Sequence, residues 1–207
     1  MARTRTREPP VADRLASARE PLPTLPAFRR AKPEDAMDLA RATFLHGIRV
    51  DMGELARQLA ISRATLYRWC GSRELLHERI LEQRAREFST WAYAEAEGEG
   101  EERVLDVFRL IMQETVGAQP VRRFLEREPK LALRVLTREH GALHEVVAQT
   151  IREVIAEAYP PRTARELVDR VDDAVHVASA LQWVTIAIDE APDAEHIVEI
   201  LRRLLAT

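Results

Sequence analysis

Cysteine is almost missing from this chain. Its 207 residues include one, Cys70, which excludes an internal disulfide and a cysteine-based zinc cluster. Glycine is scarce too: there are seven, none spaced as in phosphate-cradling loops or a nucleophile elbow. No local signature of a nucleophile, a general base or an oxyanion site is present, so an enzyme is not expected, and no cofactor is implied. No run of about 18 apolar residues occurs, so no membrane span is expected. The first 30 residues lack the apolar stretch of an export signal, which points to a cytoplasmic protein. Lysine is reduced to Lys32 and Lys130, and arginine carries nearly all of the positive charge.

The net charge of −3 conceals two unlike halves. Residues 1–86 hold 17 basic against 11 acidic side chains, or +6, whereas residues 87–207 hold 14 against 23, or −9. Within the first half, +5 falls in residues 1–32 (eight against three) and only +1 in residues 33–86 (nine against eight). A basic amino-terminal portion before an acidic remainder suggests a polyanion as partner of the former.

Six of the eleven prolines lie in the first 33 residues, behind the opening Arg3-Thr4-Arg5-Thr6-Arg7. Residues 1–32 therefore form a Pro/Arg-rich arm, extended apart from a short helix expected at Ala12–Glu20. Either it is a solvated tail or it touches DNA. From Pro33 the pattern becomes that of short amphipathic helices. The first opens with Pro33, Glu34 and Asp35 and stops at Gly47; the second covers Asp51–Leu59. A third is capped by Ser62 and a fourth by Ser72, the latter continuing as a long helix over 72–96. Further helices are expected at 101–117, 119–127, 129–139, 141–158, 162–189 and 193–206, bounded by glycine or proline. No segment alternates with period two, so the fold class is all-α.

The third helix has two faces. Ser62, Leu66, Trp69 and Cys70 share the side expected to pack inward, with Cys70 a small buried hydrophobe. Ala64, Thr65, Tyr67 and Arg68 share the other. A small residue, a hydroxyl with a methyl, a phenol and a guanidinium suit a major groove and its phosphates. Arg73, beside the free N–H groups that open the next helix, suits a phosphate. Arg57 on the second helix is either a solvated or a phosphate-facing charge.

These residues carry a resemblance. The stretch from Asp51 to Trp69, with Gly71-Ser72-Arg73-Glu74-Leu75-Leu76, resembles the DNA-binding domain of TetR-type transcriptional regulators over residues 33–80. The resemblance implies that Thr65 and Tyr67 hold phosphate or base, that Arg73 replaces a phosphate-binding lysine, and that Arg63, Ala64 and Arg68 face the bases. It departs from the pattern at Trp69-Cys70, and at Arg49-Val50-Asp51-Met52, where paired threonines are usual. The wording from Thr65 to Glu74, behind a proline-rich lead-in, is similar to the QsdR-like branch, linked to control of acyl-homoserine-lactone degradation and hence to quorum sensing.

The same resemblance implies that residues 81–207 form a helical effector-binding and dimerisation domain. Trp91, Phe108, Met112, Phe124, His140, His144 and Trp183 are candidates to line an apolar cavity for a small hydrophobic effector, an acyl-lactone or fatty-acyl compound; for any one of them plain core is the more ordinary role. His140 and His144 are four apart but lack a sure third ligand, so no metal site is expected. The two last helices are apolar on more than one face. This makes Val177, Ala180, Leu181, Val184, Ile188, Ile197, Leu201 and Leu204 candidates for a homodimer interface. The expected function is a homodimeric regulator, released by its effector as a repressor from a palindromic double-stranded DNA operator. The alternatives are a helical dimeric scaffold and an enzyme, neither with sequence-specific DNA binding.

Overall fold

A computed structural model describes residues 22, 29–139, 141–188, 190 and 192–206, which contain eleven helices and no strand. The expected helix at Ala12–Glu20 lies outside the described residues.

The first helix, α1 (Pro33–Leu45), begins with a residue whose missing N–H has no helical partner to lose, and Asp35 folds back to accept from the Lys32 N–H at 2.7 Å. It buries Ala36, Leu39, Ala40, Thr43 and Phe44 and ends at Gly47, whose φ of +65° suits a residue without Cβ. Asp51 caps α2 (Met52–Gln58), accepting from the N–H groups of Gly53 and Glu54 at 2.9 and 3.0 Å. The tight turn that follows is closed by the Ile61 N–H on the Ala56 carbonyl at 3.0 Å. It places Ala60 at φ +52°, a conformation that costs a non-glycine residue about 1 kcal/mol. Ser62 caps α3 (Arg63–Cys70) through the Thr65 N–H, and Ser72 caps α4 (Arg73–Glu95) through the Leu75 N–H.

The second half consists of α5 (Glu101–Gly117), α6 (Gln119–Arg127), α7 (Pro129–Leu136), α8 (Ala142–Ala158), α9 (Pro161–Val168), α10 (Val171–Ala187) and α11 (Ala194–Leu205). Two expectations change. The helix expected over 129–139 ends at Leu136. The one expected over 162–189 is two helices, because the chain turns at Asp169 and Arg170 with near-helical angles and no glycine or proline to announce it.

Two hydrophobic cores result. One joins α5, α8, α9, α10 and α11 to the latter part of α4. The other holds α1, α2, α3 and the first turns of α4, and continues into α6 and α7 and onto Trp183 of α10. The helices of residues 33–80 thus share their core with part of the carboxy-terminal half. No helix among the described residues is long and apolar enough to cross a membrane.

Candidate nucleic-acid interface and effector cavity

The burial of α3 follows its two-faced sequence. Leu66 and Cys70 are buried, and burial pushes the Cys70 thiol up. Trp69 is half-buried against the same core, whereas Ser62, expected inward, is an exposed cap. Arg63, Ala64, Tyr67 and Arg68 are exposed on the outer face, Tyr67 by 49%. Thr65 is half-buried, its hydroxyl 2.9 Å from that of Ser62. The Arg63 guanidinium lies over Gly53 so closely that a Cβ there would meet it at 2.6 Å. Arg57 is fork-bonded to Glu54 of its own helix at 2.9 and 2.5 Å; these bonds, with one from Gln58, take the Glu54 carboxyl down to about 2.

Arg73 does not stand free as a phosphate clamp. Its Nε donates to the Val50 carbonyl at 2.7 Å and its Nη2 to Glu128, the residue joining α6 to α7. Arg49 Nε donates to the other Glu128 oxygen at 2.9 Å. Burial raises the Glu128 carboxyl, but the bonds from Arg73 and Arg49 outweigh it and hold the group below its ordinary value.

Sequence reasoning overlooked this contact and the others that α6 makes with the first half. Arg123 and Arg127 donate to the carbonyls of His46 and Gly47 at 3.2 and 2.6 Å, satisfying the end of α1. Arg123 lies against Gly47, where a Cβ would meet its Cδ at 2.4 Å. Phe124, expected in an effector cavity, instead stacks on His77 with centroids 4.5 Å apart and meets Phe44 edge-on. The only sequence signal was the spacing of Arg123 and Arg127, which puts both on one face of a short helix.

The effector candidates divide in the same way. Phe108, Met112 and Trp183 line a small, partly open cavity of about 40 Å³, completed by Ile111 and Thr115 of α5, Phe88 of α4, Leu143 and Val147 of α8, and Val175, Ala178, Ser179 and Gln182 of α10. No charged side chain lines it among the described residues. At one end Gln182 donates to the Met112 carbonyl at 3.2 Å and to the Thr115 hydroxyl. Trp91 is half-buried against the first core, outside the cavity. His144 is buried 3.2 Å from Asp172, which also takes two bonds from Arg152 and so is held as a carboxylate below its ordinary value despite burial. Its polar network keeps it out of the cavity, and His140 lies outside the described residues. Among the described residues no cluster of three metal-ligating side chains occurs.

Of the interface candidates, Val177 and Ala180 are half-buried, while Leu181, Val184 and Ile188 are exposed by 37%, 51% and 62%. Together they form one stripe along α10. Ile197 and Leu201 are not on the surface: they are 4% and 0% exposed in the protomer's own first core, which leaves Leu204 as the exposed member of α11.

Comparison with known proteins gives four findings. The family model for the tetracycline-repressor-like C-terminal domain matches residues 99–206. The R. erythropolis transcriptional repressor QsdR, of the TetR family, superimposes with a TM-score of 0.74 at 24% identity over 84% of this chain and 94% of that one. AlkX, a TetR-family repressor from Dietzia sp. strain DQ12-45-1b implicated in biodegradation of n-alkanes, does so with a TM-score of 0.53 at 20% identity over 86% and 99%. No curated protein matches the sequence.

Proposed function

Because the chain belongs to the TetR family of transcriptional regulators, we propose that it acts as a homodimeric repressor, released from a palindromic operator by a neutral hydrophobic effector. One observation carries the reading. The exposed face of α3 offers Ala64, Tyr67 and Arg68 together, while the opposite face is fixed in the core by Leu66 and Cys70. A rigid short helix with an outward phenol and guanidinium can enter a major groove, where arginine forks onto guanine O6 and N7. Arg63 and Thr65 belong to the same helix, and Arg57 is exposed on α2. Two copies paired through the α10 stripe would present two such helices to half-sites about 34 Å apart.

The cavity supplies the second half of the reading. The lining, apolar apart from the amide of Gln182 and two hydroxyls, matches a neutral ligand with an apolar body and one polar end, the chemistry of an acyl-lactone or a fatty-acyl compound, which would widen the present space of about 40 Å³ on entry. A ligand that competes for Gln182 loosens the last turn of α5, and α6 follows α5 after one residue, Ala118. Effector and DNA would then disfavour one another by the same factor.

The test is selection of duplexes from a random-sequence pool, followed by binding measurements on the enriched sequence. Enrichment of a two-fold symmetric sequence is expected, and Arg68→Ala should lose about 1–3 kcal/mol of discrimination at one position in each half-site. No enrichment would favour a helical scaffold or an enzyme. Enrichment unaffected by Arg68→Ala would remove α3 from the interface.

A further inference from the structure

Two arginines from different elements converge on one carboxylate. Arg49 precedes α2 and Arg73 opens α4, and each donates to a different oxygen of Glu128. Guanidinium groups pair with the oxygens of a phosphate as they do with those of a carboxylate, so the donors that hold Glu128 could equally hold a backbone phosphate. The Arg73 half of the contact is sheltered, with the Glu128 side chain 14% and that of Arg73 23% exposed, whereas Arg49 is 56% exposed and open to solvent. Glu128 is fixed in turn: its N–H donates to the Phe124 carbonyl at 2.9 Å, and Phe124 stacks on His77. Arg127, the residue before it, is tied to the end of α1.

We propose that Glu128 is an internal substitute for an operator phosphate, occupying Arg49 and Arg73 so that the effector-binding half lowers DNA affinity by holding them. The proposal rests on the DNA-binding function proposed above. The arrangement described is the low-affinity one. Occupation of the two arginines and repulsion between Glu128 and an approaching phosphate act in the same direction. Withdrawal of Glu128 with α6 leaves the Arg73 Nη2 and the Arg49 Nε without their carboxylate, while the Arg73 Nε stays on the Val50 carbonyl. The connection to the cavity is short: Gln182 holds Thr115 in the last turn of α5, Ala118 links α5 to α6, and Glu128 ends α6.

The experiment compares wild type with Glu128→Gln on the duplex that wild type enriches from a random pool, across a series of potassium chloride concentrations. The amide keeps the shape and removes the charge. Affinity should rise about tenfold, and the slope of log affinity against log salt should steepen by about one to two, as one or two further phosphates are paired at about 0.9 each. Arg73→Ala added to Glu128→Gln should abolish that gain. Weaker or unchanged binding by a folded Glu128→Gln protein, with an unchanged slope, overturns the proposal and leaves Glu128 as a support that positions the arginines. If that variant fails to fold, Glu128→Asp draws the charge back by one methylene. A smaller gain in affinity is then expected, and none overturns the proposal. A wild-type protein that enriches no sequence sinks the DNA-binding reading and this proposal together, whereas enrichment with no gain in either variant sinks this proposal alone.

Discussion

If two copies pair through the α10 stripe as proposed, replacing Val184 by glutamate should separate them without harming the protomer. Val184 is 51% exposed at the middle of the α10 stripe between Leu181 and Ile188, so its outer half is available to a second copy. Burying half of a valine contributes about 1 kcal/mol per copy. The larger effect is the carboxylate, which would be carried into an apolar contact with no cation opposite, and two-fold symmetry introduces it twice. A further 1 kcal/mol or more per copy brings the minimum to about 4 kcal/mol, or a dimer dissociation constant about a thousandfold weaker. Sedimentation equilibrium at micromolar concentration should show the mass falling to that of the 23.6 kDa protomer. Thermal unfolding of the separated protomer should be nearly unaffected, since an exposed site leaves no cavity. Ile197→Ala provides the contrast: that side chain is 4% exposed, so truncation should cost about 2–5 kcal/mol of protomer stability. A Val184→Glu protein that dimerises as tightly as wild type would refute the assignment of this face.

Two further outcomes are expected. Ala178 is 5% exposed on the cavity wall, so wild type should bind N-decanoyl homoserine lactone, a probe of the proposed effector class, in calorimetry, and Ala178→Phe should fill the space and abolish that binding while preserving binding to the selected duplex. His77 is 1% exposed, and burial lowers its pKa, with the Arg73 charge acting the same way and the Arg73 carbonyl and Glu128 opposing. The unfolded chain thus binds a proton that the folded chain refuses, so this contribution is present above the ordinary histidine value and is lost as pH falls below it, by about 1.4 kcal/mol per unit of depression. Urea midpoints between pH 7.5 and 5.5 should fall more for wild type than for His77→Phe, whose ring can keep the stack on Phe124; equal slopes would show that His77 is not responsible.

Local chemistry made much of the fold legible. Asp51, Ser62 and Ser72 each accept the backbone N–H that a capping residue should, and Gly47 stops α1 with a positive φ. The break between α9 and α10 gave no such notice, because Asp169 and Arg170 keep near-helical angles and the apolar spacing runs on through them. The second apolar stripe of α11 was ambiguous for a different reason: periodicity records that Ile197 and Leu201 need cover, not whether α5 and α10 or another copy supplies it. Arg73 shows the limit most clearly. Its place at the start of α4 was legible, but Glu128 lies 55 residues away and no local pattern couples the two.

The dual membership of Trp183 has a practical consequence. It lines the cavity, yet it packs in the core that carries α1, α2 and α3, whereas Trp69 lies beside the α2–α3 turn and Trp91 against the other core. With Trp69 and Trp91 replaced by phenylalanine, the protein would carry a single indole whose emission responds to whatever displaces solvent from the cavity. Compounds could then be screened by eye of a fluorimeter before any operator is known, and the same signal, followed during DNA titration, would report whether the far half of the molecule registers the duplex.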